Sequence, residues 1–176
     1  LSLHHNKISK LPLSIGNLHL LVSLNLSNNR LSALPPTLAA MSSLTRLSVS
    51  FNRIVSLPVG LGQMPNLNEL AVNRNRLQDL PPDLSRTSTL RTLSLDENPL
   101  HLPPPQITAQ GTRAILKFLE VMLDMNSTGR LDFRDMGLEF MDLGLLAGFG
   151  PQMLLMSNNR IGRLEPLPGD VPHVPE

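Results

Sequence analysis

A 23-residue period constrains the fold of this chain more than any other feature of its sequence. Two columns recur at this step, an asparagine and a Leu-Pro pair: Asn6, Asn29, Asn52, Asn75 and Asn98, and the pairs that begin at Leu11, Leu34, Leu57 and Leu80. One unit of such a repeat cannot bury its apolar face alone, so neighbouring units must stack. The period therefore predicts a solenoid whose equivalent residues form columns about 4.8 Å apart, the spacing of strands in a sheet.

The asparagine column is predicted to be structural. Each Asn follows two alternating apolar positions, such as Leu24 and Leu26, which point inward from a short strand. The turn after that strand leaves backbone groups unpaired inside the stack, and an amide side chain supplies both a donor and an acceptor. We therefore predict a ladder of amides that bond to the backbone of neighbouring coils, formed by Asn6, Asn29, Asn52, Asn75, Asn98 and Asn159.

The period is interrupted after residue 98. Three prolines at 103–105 precede apolar residues at helical spacing, which predicts a helix at about 107–123. This helix either caps the stack or lies on the back of one enlarged coil. The segments "LDFRDMGL" and "LLMSNNRI" restore the repeat with Met136 and Asn159 again 23 residues apart, which favours the enlarged coil. Because methionine cannot bond as asparagine does, a gap in the ladder is expected at Met136.

The segments "LVSLNLSNNRL", "LTRLSVSFNRI", "LNELAVNRNRL" and "LRTLSLDENPL" resemble the pattern L-x-x-L-x-L-x-x-N-x-L of leucine-rich repeats. The resemblance covers residues 1–100, and the short unit with Leu-Pro resembles intracellular repeat proteins that include scaffolds acting on Ras-type GTPases. The segment "NPLHLPPPQITAQGTRAILKFL" resembles the junction of two-array members. The resemblance implies an α/β leucine-rich-repeat solenoid, a right-handed superhelix with a parallel, concave sheet. The linker between the two arrays is short, only residues 124–129, which predicts that they share one continuous sheet. We expect about seven coils, one of them enlarged and carrying the helix.

The predicted organisation has four parts. Residues 1–98 form five regular coils, 99–130 an enlarged crossing with the helix, 131–164 two degenerate coils and 165–176 a Pro-rich tail. The chain begins Leu-Ser-Leu without a methionine or a signal peptide. We therefore expect a piece of a longer protein or complex, located in the cytoplasm with possible association to the cytoskeleton or cilium.

Composition excludes several kinds of chemistry. The absence of cysteine rules out disulfides and thiolate metal sites, and a net charge of +1 argues against strong attraction to nucleic acid outside a larger particle. No apolar run of about 18 residues is present, so membrane insertion is not expected. We find no acid–base pair at a usable spacing. The sequence therefore predicts no enzymatic activity, cofactor, metal or small-molecule substrate.

The outward strand positions of a concave solenoid are its natural binding surface. They give a predicted partner-binding set, namely Ser23, Asn25, Ser27, Arg46, Ser48, Phe51, Glu69, Asn73, Arg74 and Asp96. Phe51 is the one large apolar group of this set, and either anchors a partner or folds over the strand edge. A second column forms a basic stripe that either grips an acidic partner or is solvated: Lys7, Arg30, Arg53 and Arg76.

These features favour a non-catalytic interaction module or scaffold that binds a protein partner on its concave face. Two alternatives stay open, a structural component of a cytoskeletal, ciliary or ribonucleoprotein assembly, and the sensor segment of a larger kinase or GTPase. The resemblance implies a protein partner and does not identify it.

Overall fold

The computed structural model describes residues 1–165 of the chain. The chain divides into two compact units, Leu1–Glu120 and Val121–Glu176, and the boundary falls inside a helix. The predicted Pro-rich tail lies outside the described residues from position 166 onward. Within the described range, no helix has the length and apolar character needed to cross a membrane.

The first unit is built on one parallel sheet. Successive strands start 23 residues apart and pair in the order β1 (Ser23–Asn25), β2 (Arg46–Ser48), β3 (Glu69–Ala71) and β4 (Thr92–Ser94). The central residue of each strand points inward, and Leu47 and Leu70 are each only 1% exposed. The coil that precedes β1 contributes a single bridge between Ser2 and Asn25. The repeat period is thus the register of the sheet.

Short 3₁₀ helices form the opposite side of the first unit. They span Leu13–Asn17, Pro36–Ala40, Leu61–Gln63 and Pro82–Arg86. Proline suits the start of such a turn because its φ is preset and it has no N–H to satisfy. Neighbouring crossings touch backbone to backbone, since a Cβ added at Gly62 would lie 1.7 Å from the carbonyl oxygen of Asp83.

The helix predicted at about 107–123 is two helices, α1 (Pro105–Thr108) and α2 (Thr112–Thr128). Gly111 separates them with a φ of 90°, a conformation that glycine adopts without a Cβ penalty. Helix α2 extends past the predicted end to Thr128, where Gly129 follows with a φ of 65° and donates its N–H to the carbonyl of Met125 at 2.8 Å. A left-handed glycine after the last turn is a common helix C-cap.

The second unit contains two separate strand pairs. Strand β5 (Arg130–Asp132) pairs with β7 (Met153–Leu155), and β6 (Phe140–Asp142) pairs with β8 (Arg163–Glu165). The short helix α3 (Leu143–Ala147) is capped by the Asp142 side chain, which accepts from the Gly144 N–H at 2.8 Å.

The expectation of one continuous sheet is wrong for the described residues, whose strands belong to three sheets. Between Asn98 and Met136 the step is 38 residues instead of 23, and α1 and α2 occupy the extra length. Strands β6 and β8 were not predicted, because three-residue strands without a repeated leucine pattern give no periodic signal.

Candidate functional site

Each interior amide of the asparagine column connects two coils of the first unit. Asn75 Oδ1 accepts from the Ile54 N–H at 3.0 Å, and Asn75 Nδ2 donates to the carbonyls of Val49 at 3.0 Å and Val72 at 2.9 Å. Asn29, Asn52 and Asn98 make the equivalent bonds. In each, Oδ1 accepts from a backbone N–H of the preceding coil, and Nδ2 donates to one carbonyl of the preceding coil and one of its own coil. These amides satisfy buried backbone groups, which gives them a structural role.

The first member of the column departs from this pattern. Asn6 is exposed and donates to two carbonyls of its own turn, at 3.0 and 3.1 Å. In the second unit, Asn159 keeps the interior pattern, with Oδ1 accepting from the Leu138 N–H at 3.0 Å and Nδ2 donating to the carbonyls of Phe133 and Met156 at 2.8 Å. Asn159 Oδ1 also accepts from the Met136 N–H at 3.0 Å. The backbone at Met136, where the sequence lacks an amide, is therefore bound by the amide of the next coil.

The outward side chains of β1–β4 form two rows across the sheet. One row contains Ser23, Arg46, Glu69 and Thr92, and the next contains Asn25, Ser48, Ala71 and Ser94. Together they line a cavity of about 250 Å³. Because the second row has only short side chains, it forms a low floor beside the longer side chains of Arg46 and Glu69.

Arg46 and Glu69 are exposed neighbours of opposite charge. In the described part of the chain neither takes part in an ion pair within 4.0 Å. Three short side chains of the face are held in place. The hydroxyls of Ser27 and Ser48 share a hydrogen bond of 2.7 Å, and Asn25 Oδ1 accepts from the Ser27 N–H at 3.0 Å. The face thus combines fixed small groups with charges that are available to a partner.

The residue before each asparagine position has a left-handed backbone with φ between 52° and 60°, namely His5, Asn28, Phe51, Arg74, Glu97, Asp135 and Asn158. Sequence analysis missed this row. Asparagine, aspartate and histidine tolerate a left-handed backbone, so His5, Asn28, Asp135 and Asn158 are compatible with it in sequence. Phe51, Arg74 and Glu97 in the same row are not residues that indicate this conformation.

Phe51, Arg74 and Glu97 form a stack along this row. The guanidinium carbon of Arg74 lies 4.9 Å from the centre of the Phe51 ring, and Arg74 Nε donates to Glu97 Oε1 at 2.6 Å. Phe51 is nevertheless 44% exposed. The ring therefore lies at the turn after β2 and still presents apolar surface to solvent. Two further residues of the predicted face also contact each other, since Asn73 Oδ1 accepts from the Asp96 N–H at 2.9 Å.

The column Lys7, Arg30, Arg53 and Arg76 is exposed throughout. The backbone N–H groups of its three arginines donate to the preceding coil at 2.8–2.9 Å, which keeps the column aligned. Within residues 1–165 no ion pair involves these side chains. Nor do three or more His, Asp or Glu side chains of that range gather where they could share a metal ion.

Two further features were not predicted from the sequence. A cavity of about 460 Å³ in the first unit is lined by the end of β4, by Pro103 and Pro105, and by residues of α1. In the second unit, Asp132 accepts from Arg130 Nη2 at 2.9 Å and from Nε and Nη2 of Arg134 at 2.7 Å each. The hydrogen bonds from Arg134, and then the one from Arg130, hold the pKa of the Asp132 carboxyl well below its usual range.

Stacked coils of parallel strands, joined by bridging amides and carrying an outward row of polar side chains, define a solenoid repeat protein. The family model described as "Leucine-rich repeat region" matches residues 1–137. The chain belongs to the leucine-rich repeat family. A search of curated proteins gave no significant match.

Solved structures with the same fold come from several proteins. A leucine-rich repeat protein of Leptospira interrogans is 34% identical over 62% of this chain, with a TM-score of 0.58. An internalin of Listeria monocytogenes is 22% identical over 91% of the chain (TM-score 0.50), and the PEPR1–AtPEP1 structure is 23% identical over 97% (TM-score 0.56). The chain covers 27%, 35% and 29% of these solved chains.

Proposed function

We propose that this chain is a non-catalytic protein-interaction module that binds a protein partner on the outward strand face of its first unit, the concave face predicted from the sequence. Membership of the leucine-rich repeat family supports a role in protein interaction, since solenoids of this kind present extended binding surfaces.

Phe51 carries the proposal. A bulky residue with φ of 57° costs roughly 1–2 kcal/mol relative to a right-handed backbone. Stacking of Arg74 on the Phe51 ring stabilises the fold by only about 0.5–1 kcal/mol at an exposed site. The exposed ion pair of Arg74 with Glu97 contributes about 0–1 kcal/mol. That contribution does not depend on which residue occupies position 51. Folding alone therefore gives little reason for phenylalanine here, whereas an exposed aromatic ring beside an arginine is the composition of an interface anchor.

The rest of the face suits an extended partner segment. The floor formed by Ser48, Ala71 and Ser94 admits a backbone closely, and the sheet holds it rigidly. A preformed surface loses little ordering entropy on binding. Arg46 and Glu69 would supply charge complementarity, which sets specificity and association rate more than affinity.

The test starts with site-specific photo-crosslinking in cell extract. A benzoylphenylalanine at Ala71, on the face, should crosslink the partner, whereas one at Gln63, in the 3₁₀ helix Leu61–Gln63, should not. The identified partner is then titrated against two variants, Arg46→Glu and the control Arg86→Glu. Arg86 is also an exposed arginine, but it lies on the 3₁₀ helix Pro82–Arg86 and not on the strand face.

Arg46→Glu should weaken binding at least about tenfold, or 1.4 kcal/mol, and Arg86→Glu should change it less than about twofold. Preferential crosslinking from Gln63, or equal losses for the two arginine variants, would refute the assignment of this face.

A further inference from the structure

We infer that the second unit carries its own docking site for a protein segment that presents one carboxylate beside an aliphatic side chain. The site is the strand face formed by Arg130, Asp132, Arg134 and Met153, called the arginine–methionine face below. It lies on β5 and β7 of the second unit and does not depend on the function proposed for the first unit.

Asp132 orients both guanidinium groups of the face. Arg134 commits Nε and Nη2 to the carboxylate, and Arg130 commits Nη2. Each guanidinium carries five N–H donors, so Nη1 of both residues and Nε of Arg130 remain available among the described contacts. Their side chains are 43% and 46% exposed, so an incoming acceptor can reach them. Because the arginines are already held, binding costs less side-chain entropy than for free arginines.

The charge of the face selects the ligand. Two guanidinium groups and one carboxylate leave one positive charge on the outward side of β5. The exposed carboxylate of Asp135 follows directly at the turn. With Asp135 counted, the two arginines and two aspartates balance, so a phosphate dianion or a polyanion would add two or more unmatched negative charges. A single carboxylate adds one charge and can accept from the available N–H groups of Arg130 and Arg134.

Apolar contact is supplied by the neighbouring strand. The register of β5 and β7 places Met153 beside Arg130 and Leu155 beside Asp132. Met153 is 50% exposed, although every residue at the equivalent strand position in the first unit is polar: Ser23, Arg46, Glu69 and Thr92. Methionine adapts to irregular apolar partners, and methionine and arginine are each enriched in interfaces. The ligand therefore needs an aliphatic side chain close to its carboxylate.

The site can be tested by selecting a random dodecapeptide phage library on the whole chain. Peptides enriched on the wild type over the Arg130→Gln/Arg134→Gln double variant should carry Asp or Glu next to Leu, Ile or Val. The matched control is Arg160→Gln, another exposed arginine of the same unit, which should select the same peptides as the wild type. Thermal melts followed by circular dichroism check that every variant is folded.

One enriched peptide is then measured by fluorescence anisotropy. Exchanging its acidic residue for the amide, or Arg130 for glutamine, should each weaken binding about tenfold, the loss expected for a charged hydrogen bond. Met153→Ser should weaken it about threefold or more. Phe51→Asn should leave this affinity unchanged, which separates the site from the face of the first unit.

The inference fails if wild type and double variant select the same peptides. It also fails if the amide peptide binds equally well, if Met153→Ser has no effect, or if millimolar inorganic phosphate displaces the peptide. The last result would identify a general anion site instead of a protein-docking face.

Discussion

The two units share the 23-residue step between paired strands but form different sheets. In the first unit four strands form one sheet, and β2 and β3 have a strand on either side. In the second unit each strand pairs with only one other described strand, and Leu154, the inward residue of β7, is only half-buried. The comparison shows that uninterrupted repetition gives a polar face four strands wide, whereas interrupted repetition gives strand pairs, one of which exposes an apolar residue, Met153, at an outward position.

This difference has an energetic consequence. Solenoid stability is approximately a sum of repeat and nearest-neighbour terms, so a strand with two neighbours is held more strongly than one with a single neighbour. Amides in β2 and β3 should therefore be better protected from hydrogen exchange than those in β7.

The largest expected contrast comes from one substitution made in each unit. Gly62→Ala would place a Cβ 1.7 Å from the Asp83 carbonyl oxygen, whereas nothing lies within 4 Å of a Cβ at Gly148. Because backbone must move in the first case, Gly62→Ala should lower the free energy of unfolding by about 3 kcal/mol or more. Gly148→Ala should change it by less than about 1 kcal/mol, and towards greater stability. Urea unfolding followed by circular dichroism measures both, and similar losses would contradict the backbone contact between 3₁₀ helices.

The next contrast compares the bridging amides. Asn75→Ala leaves the buried Ile54 N–H unpaired. The carbonyls of Val49 and Val72 each lose one of two amide donors and keep the other, from Asn52 and Asn98. One unpaired buried donor and two lost bonds should lower the free energy of unfolding by about 3 kcal/mol. Asn159 is half-buried and water can replace part of its bonding, so Asn159→Ala should cost about half as much. Hydrogen exchange mass spectrometry should locate each loss in its own unit. Asn6→Ala, at an exposed amide, is the control; a loss equal to that of Asn75→Ala would argue against the ladder as the source.

Repetition also explains how far sequence reasoning reaches. A stack of repeated units follows from the recurring step, because equivalent residues must share a register. The parallel strands were implied by the resemblance to leucine-rich repeats. The break at Gly111 and the end of α2 at Thr128 depend on the left-handed backbone of two glycines, Gly111 and Gly129. Neither changes the apolar period, so neither could be predicted from it.

Site residues were predictable only where they repeat. The partner face of the first unit was assigned by register, whereas the arginine–methionine face lies in coils that were recognised as repeats but whose outward positions were not assigned. The left-handed row was missed because it is defined by φ, and Phe51 and Arg74 are not residues that usually adopt it. A site whose residues occur in only one coil does not repeat along the sequence, so periodicity cannot predict it.

Phe51→Asn sharpens the comparison on the first unit at a smaller scale. Asparagine tolerates the left-handed backbone, so the substitution removes backbone strain, but it also removes the stacking contact with Arg74. Because the strain is the larger of the two, the free energy of unfolding should rise by about 0.5–1 kcal/mol. Partner binding should fall about tenfold, the loss expected for an anchor residue. Phe51→Leu is the matched control, because it keeps the strain, loses the stack and should destabilise. Stabilisation without loss of binding would remove Phe51 from the interface.

The smallest expected effect is electrostatic and confined to the second unit. An unperturbed aspartate has a pKa of about 3.9, and the hydrogen bonds from Arg134 and Arg130 lower the pKa of Asp132. The carboxylate should therefore stay ionised, and both arginines oriented, at pH values where ordinary aspartates protonate. Arg134→Gln should raise this pKa more than Arg130→Gln, because Arg134 donates two bonds and Arg130 one. Carbon-13 NMR titration of the Asp132 carboxyl carbon measures the order directly. Equal shifts, or none, would mean that solvent screens the pair and that the arginine–methionine face is not preorganised.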